Sequence, residues 1–350
     1  MNIGVIEQKY FKLSDIFEIK TSKCIHENNL KQGNGNIPYI TRTGLNNGIL
    51  KFVREQGSEK LNPGNVITIG VDTQTVFYQK QDFYCGNKVL SLSSNFMNQY
   101  IGIFIIGILN KIIKKKYNYG YGATLARISK VEIKLPSTPD RKPDWDFMEL
   151  YIREQYREVV QERIEELEKK KPNAPTVSRD IADIKATADF PLGQVFPTIT
   201  RGIQISKRNR KSGTLPYISA SLLNHGEADF VSVDEKYIYK DCLTVPFIGG
   251  ENCTFYHDGE FVPSSDVAVL QNENFDKYIY VFLIGILNVI MRKYSFGYKA
   301  SLERLQKQTI PLPITSEGEP DWDFMSDYIK TQSQIVFEEE LKRLKSKLDE

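Results

Sequence analysis

The chain of 350 residues is 41% hydrophobic and 26% charged, with a formal net charge of +2 at pH 7. Its length predicts about two domains. The most apolar stretches, 101–109 and 280–290, are too short to cross a bilayer. The opening MNIGVIEQKYFKL lacks the basic and apolar segments of a signal peptide. We therefore expect a cytoplasmic protein.

Each half of the chain begins with short β-branched and aromatic runs between Gly and Asn turn signals, such as NVITIGVDTQTVFYQ at 65–79 and CLTVPFIGGENCTFYH at 242–257. Such runs predict strands. Residues 98–115 and 276–293 follow, with apolar side chains at helical spacing, and predict one helix in each half. The expected body is mixed α/β, with a curved antiparallel or mixed sheet.

A long helix is predicted at the end of each half. Between Asp144 and Lys171 apolar residues recur every three or four positions among charges, and Pro172 marks the end. In the second half, the apolar residues step by four, three and four, as in a coiled coil: Phe337, Leu341, Leu344 and Leu348. At about 1.5 Å per residue the first helix is roughly 40 Å long, too long to be buried in a small body.

The hexapeptide PDWDFM precedes both long helices, at 143–148 and 320–325. A carboxylate at a helix start accepts hydrogen bonds from free N–H groups. The expected caps are therefore Asp144 or Asp146 for the first helix and Asp321 or Asp323 for the second, and the neighbouring aromatic residues are expected to pin each helix to its body. The alternative, a pair of catalytic carboxylates, is the weaker explanation at a helix start.

The hexapeptide belongs to a repeat that covers the whole chain. FKLSDIFEI at 11–19 matches FPLGQVFPTI at 190–199, FIIGILN at 104–110 matches FLIGILN at 282–288, and YNYGYGATLARI at 117–128 matches YSFGYKASLERL at 294–305. The offset between matching stretches is nearly constant along the chain, so the two halves are collinear. We expect one fold used twice, with two long helices that pair antiparallel and hold the bodies at opposite ends.

Charge is distributed unevenly between the predicted helices and the bodies. Residues 144–171 contain nine acidic and six basic residues, and residues 321–350 contain eight and five, so each segment is at −3. The rest of the chain must therefore carry 2 + 6 = +8. KIIKKK at 111–116 and KRNRK at 207–211 resemble phosphate-binding patches, although either run alone equally fits a solvated surface. Bodies about 40 Å apart would match DNA half-sites one or more turns apart, each turn about 34–36 Å.

The motifs of both halves come in one order: FKLSDIF and FPLGQVF, then IPYI and LPYI, then GYGATLARI and GYKASLERL, then IKLP and IPLP, then a long helix. This order, present twice, resembles the specificity (S) subunit of Type I restriction–modification systems. The compact length and the PDWDFM joint resemble the S-type subunit of the BcgI-like Type IIB group. Many Type I S subunits have more extensive helical regions, so both assignments stay open.

The resemblance implies an α+β chain with two target-recognition domains, residues 1–143 and 189–319. It implies a spacer helix after each, at 144–172 and 320–350, and a linker at 173–188. Each domain would read one half of a bipartite sequence in double-stranded DNA. The two helices, paired as an antiparallel coiled coil in a pseudo-two-fold dumbbell, would set the gap. They would also dock modification or fused restriction–modification subunits, which supply S-adenosylmethionine chemistry.

No catalytic, metal or cofactor site is predicted. The chain has no Pro-Pro dipeptide, and hence no Asn/Asp-Pro-Pro-Tyr/Phe motif of amino-methyltransferases, and no GxxxxGK[ST] motif. Cys24 with His26, and Cys253 with His257, lack a second pair at zinc-site spacing, and four cysteines without CxxC fit a reducing compartment. Two other classes remain open: a divergent nuclease or methyltransferase, and a scaffold that binds something other than DNA.

Half-site specificity is expected in polar residues that differ between equivalent loops. Arg pairs well with guanine and Asn with adenine in the major groove, whereas Lys more often meets phosphate; Asn in a Gly-containing loop is also a common turn residue. The predicted DNA-binding residues of the first half are Lys20, Thr21, Ser22, Lys23, Arg42, Asn46, Asn47, Lys114 and Lys115. Those of the second half are Arg201, Lys207, Arg208, Arg210, Lys211, Ser219, Ser221, Asn224 and His225. Arg127 and Arg304 occupy the same position of the repeat, one in each half, and are expected to hold phosphates or to form scaffold salt bridges.

Overall fold

The structure is a computed structural model that describes residues 6–118, 120–250 and 252–349. The chain divides after Arg163 into two compact units. Within the described residues, no helix is both long enough and apolar enough to span a membrane.

The described part of the first half alternates short strands with α-helices. The strands are β1 Gln8–Lys12, β2 Glu18–Thr21, β3 Ile37–Ile40, β4 Ile49–Val53, β5 Val66–Gly70, β6 Val76–Gln79, β7 Tyr84–Cys85, β8 Val89–Ser93 and β9 Glu132–Pro136. The helices are α1 Leu13–Ile16, α2 Gln99–Lys116, α3 Leu125–Ile128 and α4 Trp145–Lys169. The predictions of a helix at 98–115 and of a long helix before Pro172 are confirmed.

A four-stranded antiparallel sheet in the order β2-β8-β5-β6 forms the centre of the first half. Helix α2 packs on it through Ile101, Ile105 and Leu109, which share one core with Ile67 and Ile69 of β5. Residues four apart lie on the same side of a helix, so this apolar stripe fixes which side of α2 faces the sheet. A second sheet, β4-β3-β7, contains a parallel pair, β3 with β7. The predicted mixed sheet is confirmed.

The second half repeats this order. Its strands are β10 Thr187–Pro191, β11 Thr198–Arg201, β12 Ser212–Ile218, β13 Glu227–Val231, β14 Tyr239–Pro246, β15 Phe255–Pro263, β16 Val267–Gln271 and β17 Thr309–Pro313. Its helices are α5 Leu192–Val195, α6 Lys277–Met291, α7 Leu302–Lys307 and α8 Trp322–Ser346. The helix predicted at 276–293 is confirmed as α6, and the second long helix as α8.

The second half has one six-stranded sheet where the first half has two smaller ones. Its order is β11-β16-β14-β15-β12-β13. The nine-residue strand β15 pairs with β14 along one part and with β12 along the other. The equivalent stretch of the first half is interrupted at residues 80–83, between β6 and β7. The two halves therefore share a strand arrangement and differ in its continuity.

The hexapeptide joins each long helix to its own body, as predicted. Asp144 accepts a hydrogen bond from the Phe147 N–H at 3.0 Å, and Asp321 accepts one from the Phe324 N–H at 2.9 Å. These carboxylates satisfy N–H groups that have no partner inside the helix. The tryptophan beside each cap packs on an aromatic ring of the body, Trp145 on Phe96 at 5.7 Å and Trp322 on Phe275 at 4.5 Å between ring centroids.

In the second unit, the segment after α4 is fastened to α8 by a buried carboxylate. Asp327 accepts hydrogen bonds from the N–H groups of Thr176 and Val177, each at 2.9 Å. The Thr331 hydroxyl accepts a third from the Arg179 N–H at 3.2 Å. The equivalent position in the first half is the exposed Leu150. This clamp is therefore a feature of one half only.

Replacing Asp327 by alanine should loosen the segment 173–183 and destabilise the second unit. The change leaves two backbone N–H groups without their charged acceptor, at a cost of about 2–3 kcal/mol. Limited proteolysis of the full chain should then cut within 173–183 faster, and the melting temperature should fall. Glu338→Ala, an exposed carboxylate of the same helix, is the matched control. Equal cutting of both variants would show that the clamp contributes nothing.

Candidate functional site

Three loops of the first half lie side by side at one end of the body. They are the loop after β3 (residues 41–48), the turn between β5 and β6 (71–75), and the hairpin after α2 that Asn118 and Tyr121 close with mutual backbone hydrogen bonds. The Ala123 N–H donates to the Val71 carbonyl at 2.8 Å and ties the hairpin to the turn. We call these three segments, with Lys88, the first loop edge.

An ion-pair cluster connects the loops of the first loop edge. The Asp72 carboxylate accepts from the Arg42 guanidinium and lies 3.0 Å from the Lys88 ammonium. The hydrogen bond from Lys88, with the positive charge of Arg42, holds the pKa of Asp72 below its ordinary value. One carboxylate thus faces two cations, so the cluster keeps net positive charge.

The second half builds an equivalent edge from equivalent segments. They are the loop after β12 (residues 219–226), the segment after β14 (247–250), and the hairpin after α6 that Ser295 and Tyr298 close. The Ala300 N–H donates to the Phe247 carbonyl at 2.8 Å, and the Arg201 guanidinium lies 4.3 Å from the centre of the Phe247 ring. We call these segments, with Arg201, the second loop edge.

Each hairpin carries the same stack of two tyrosines and an arginine. In the first half, Tyr117 and Tyr121 stack at 5.8 Å, and the Arg127 guanidinium lies 3.6 Å from the Tyr121 ring centre. Arg127 also donates to the Gly122 carbonyl at 2.8 Å. This combination of a cation–π contact and a backbone hydrogen bond fixes the guanidinium.

The second hairpin reproduces this stack. Tyr294 and Tyr298 stack at 5.6 Å, Arg304 lies 4.3 Å from the Tyr298 ring centre, and it donates to the Lys299 carbonyl at 2.6 Å. The scaffold salt bridge that we considered for Arg127 and Arg304 is replaced by these ring and carbonyl contacts. Each planar guanidinium has more N–H donors than these contacts use, which leaves donors for a phosphate. Phosphate binding by Arg127 and Arg304 stays a prediction.

The residues at 20–23, predicted to bind DNA, differ from one another in their exposure and contacts. Lys20 is exposed and pairs with Glu18 at 2.6 Å, and Thr21 is exposed at the end of β2. Lys23 is exposed but donates to the Leu61 carbonyl at 3.2 Å. Ser22 is only 6% exposed. Ser22 follows β2, and its N–H donates to the Val89 carbonyl at 2.9 Å. This burial speaks against a direct DNA contact by the Ser22 side chain, and that contact stays a prediction.

The asparagines predicted to read bases form a tight turn in each half. Asn46 and Asn47 both have positive φ, 47° and 56°, and Asn224 and His225 have 47° and 50°. Asn is among the residues that tolerate this left-handed region. The turn-forming alternative is therefore observed at the three asparagines, and His225 adopts the same backbone conformation. Base contacts by their side chains stay a prediction.

The basic run of the second half, residues 207–211, directly precedes β12. Arg210 pairs with Asp229 of β13 at 3.1 Å and lies over the Tyr217 ring at 4.5 Å. The hydrogen bond from Arg210 is the main cause that lowers the pKa of Asp229. Lys207, Arg208 and Lys211 are exposed. Through Arg210, the run is attached to β12 and β13.

The other predicted residues have simpler surroundings. Lys114 and Lys115 are exposed in the last turn of α2, next to the first hairpin. In the loop after β12, the Ser219 hydroxyl donates to the Gly226 carbonyl at 3.3 Å, and the Ser221 hydroxyl accepts from the Leu223 N–H at 3.1 Å. Both serines thus stabilise the loop.

Sequence reasoning missed Lys88, which the fold brings next to Arg42 from a distant part of the chain. No motif marks it, because its place depends on the pairing of β5 with β8. Lys299 was also missed, although it occupies the second hairpin where the first has Gly122. Both cations add to the positive charge of their edges.

Two buried thiols, those of Cys85 and Cys242, are not activated as nucleophiles. Burial raises the pKa of Cys85 to about 12 and that of Cys242 to about 12, so both stay protonated near neutral pH. Across residues 6–118, 120–250 and 252–349, no group of three or more His, Cys, Asp and Glu side chains is placed to hold a metal ion. In contrast, the loop edges carry arginine and lysine side chains, which is the chemistry of a surface that binds a polyanion.

His257 is part of the second body. Its Nε2 lies 2.8 Å from the Thr244 hydroxyl, and its ring centroid lies 4.4 Å from that of Phe261. Burial, and secondarily the charge of His225, lowers the pKa of His257 to about 4 from 6.5. The folded chain therefore favours the neutral form of the His257 imidazole.

This depressed pKa predicts a specific acid sensitivity of the second half. The unfolded chain takes up a proton near pH 6.5, whereas the folded chain does so near pH 4. The stabilising contribution, up to about 3 kcal/mol, is complete above pH 6.5 and is lost as the pH falls towards 4. Melting temperatures from pH 7.5 to 4.5 should fall more steeply for the natural chain than for His257→Gln. Parallel profiles would contradict this assignment.

Known proteins resemble this chain over nearly its whole length. The sequence matches the Type I restriction modification DNA specificity domain family twice, at residues 6–169 and 185–345. It is 28% identical over 339 residues to the Type II restriction enzyme BgcI specificity subunit S.BcgI of Heyndrickxia coagulans, in a match that covers 95% of this chain and 97% of that protein. The structure is similar to the S subunit of a Type-I restriction-modification system from M. genitalium, with a TM-score of 0.59 and 14% identity over 100% of this chain and 94% of that chain. At that identity the structural likeness concerns the fold alone.

Proposed function

The chain belongs to the Type I restriction modification DNA specificity domain family, which matches it in both halves, and we propose from this that it is the sequence-specific DNA-binding subunit of a cytoplasmic restriction–modification complex. Each half reads one part of a bipartite target in double-stranded DNA. Methyl transfer and cleavage are carried out by partner subunits, and this chain binds no cofactor.

One observation carries this proposal: the two loop edges have the same framework and different side chains. Ala123 and Ala300 tie the two hairpins in the same way. In contrast, Arg42 of the first edge corresponds to Ala220, since each is the second residue after its IPYI or LPYI motif. Arg201 of the second edge has no arginine counterpart at 20–24. A common framework with unlike side chains is what two readers of unlike half-sites require, because base contacts specify whereas phosphate contacts position.

The shared cations are proposed to position the duplex. Arg127 and Arg304 are held in the same geometry in both halves, so they suit phosphates, which every sequence presents. Lys88, Lys114 and Lys115 add further positive charge in the first half. Contacts of this kind make binding depend strongly on salt. The unlike cations, Arg42 and Arg201, are proposed to contact guanine.

The long helices are proposed to pair, to set the gap between half-sites and to dock modification or fused restriction–modification subunits. Both helices are acidic and therefore unsuited to DNA. Val159 of α4 and Val336 of α8, which occupy the same place in the repeat, are both exposed. Near the end of the second unit, Lys345 lies 3.7 Å from Glu168. Equivalent apolar positions on both helices suit two copies of one partner.

Selection from a random duplex library by the assembled complex tests this function. The expected product is a motif of two fixed parts with a constant gap. The partner subunits without this chain provide the control and should select no such motif. Binding governed by salt alone, without any selected motif, would favour a non-specific DNA binder or a scaffold for other ligands. Cleavage or methylation by this chain alone would instead identify it as an enzyme.

A further inference from the structure

Two leucines at equivalent positions are strongly exposed. Leu45 is 73% exposed and Leu223 is 77% exposed. They occupy the same position of the repeat, because each is the fifth residue after its IPYI or LPYI motif. Single exposed leucines are common on protein surfaces. Exposure of the same residue in both halves, in loops that otherwise share only Asn46 with Asn224 and Gly48 with Gly226, indicates a use outside the fold.

Each leucine is the first residue of a closed turn. The Gly48 N–H donates to the Leu45 carbonyl at 2.9 Å, and the Gly226 N–H donates to the Leu223 carbonyl at 3.0 Å. Between leucine and glycine, two residues adopt left-handed backbone conformations in both turns. The glycines themselves have φ of 79° and 84°, which suits glycine.

The turns are also anchored to the sheet by the residue before each glycine. The Asn47 side chain donates to the Tyr78 carbonyl at 2.9 Å. His225 stacks on Phe255 with 5.5 Å between ring centroids. A side chain presented from a turn fixed in this way loses little further backbone freedom on binding. Each leucine is thus preorganised and faces water.

The surroundings of the leucines identify the kind of ligand. Leu45 lies three residues after Arg42 in the loop after β3, and Leu223 lies in the equivalent loop of the second half, whose edge also contains Arg201. A ligand that fits both a cation and an apolar side chain must present anionic and apolar groups close together. Duplex DNA does so, with phosphates at the groove margins, thymine methyl groups in the major groove and base faces accessible to apolar wedges.

We propose that Leu45 and Leu223 each make apolar contact with a base of their own half-site. This inference rests on the proposed function and adds an apolar reader to each edge. The contact reaches a base rather than the backbone, because the backbone is charged and offers leucine little. Each leucine therefore contributes to its own half-site alone.

The test measures DNA affinity of the assembled complex for three duplexes: the selected target, the target with its first half-site scrambled, and the target with its second half-site scrambled. Leu45→Ala should weaken binding to the full target on the order of ten-fold. It should have no effect once the first half-site is scrambled. Leu223→Ala should behave in the mirrored way, and it is the matched control for Leu45→Ala. The dependence of log affinity on log salt should keep its slope, because no phosphate contact is lost.

Replacement of each thymine by uracil distinguishes the two forms of apolar contact. If leucine contacts a thymine methyl, one uracil substitution weakens the natural complex and has less effect on the alanine variant. If leucine wedges between base pairs, uracil has no effect and the alanine variant still loses affinity. Either result supports the proposal.

Three results would overturn it: affinity unchanged within two-fold, equal weakening on intact and scrambled duplexes, or loss of partner subunits from the alanine variants in size-exclusion chromatography. In each case the natural complex would still require both half-sites, so the proposed function would stand. If the natural complex itself ignores scrambling, the proposed function fails and the inference falls with it.

Discussion

Arg42→Ala should relax or abolish reading at one half-site and leave the other half-site unchanged. A bidentate arginine–guanine contact is worth about 1–3 kcal/mol of discrimination, so preference for the correct base should fall roughly five- to 150-fold at one position. Arg201→Ala should do the same at the other half-site. Competition binding with duplexes that carry single base changes measures both effects. Loss at both half-sites together would mean that Arg42 supports the fold or the partner interface.

The ion pair with Asp72 requires a matched control for Arg42→Ala. Asp72→Asn removes the carboxylate charge that Arg42 and Lys88 share while it keeps both cations. If Arg42 reads a base, this variant should retain the preference for that base. If it loses the preference as Arg42→Ala does, the intact cluster is needed to position the loop. A role of Arg42 confined to the ion pair would follow if both variants kept full discrimination.

Lengthening both long helices by four residues should abolish recognition of the natural target and restore recognition of one with a longer gap. Duplication of 156–159 in α4 and of 333–336 in α8 adds about 6 Å to each helix. Since DNA rises about 3.4 Å per base pair, the gap should grow by one or two base pairs. The half-site sequences should stay the same, because no loop has changed. Library selection by the altered complex measures both quantities.

Two controls separate length from disruption. Insertion into α4 alone puts the helices out of step and should weaken assembly rather than produce a new gap. Insertion of four residues into the exposed turns at 139–142 and 316–319 should leave the gap unchanged. A complex with lengthened helices that selects the original gap would refute the role of the helices as spacers.

Local patterns were sufficient to predict much of the fold. Apolar spacing located α2 and α6, and the repeated PDWDFM located the starts of α4 and α8 with Asp144 and Asp321 as caps. These features depend on interactions between residues within one turn of a helix. Because the two halves repeat one sequence pattern, each prediction made for one half also applied to the other.

The candidate site was less predictable because its contacts are long-range. Asp72 lies far beyond Arg42 in the sequence, and the two meet only after the loop after β3 packs beside the turn after β5. Ser22 was predicted to contact DNA because it is polar and follows a strand, yet its side chain is buried in the folded chain. Asp327 has no counterpart in the first half, so the repeat could not reveal its clamp.

The most direct test of the central claim is genome-wide mapping of DNA methylation by the partner methyltransferase, expressed with and without this chain. The account predicts a two-part methylated motif with a constant gap that appears only when this chain is present. Suppose that the two strains show identical methylation although this chain is expressed and bound to the methyltransferase in the strain that carries it. That result would contradict the claim that this chain selects the DNA target.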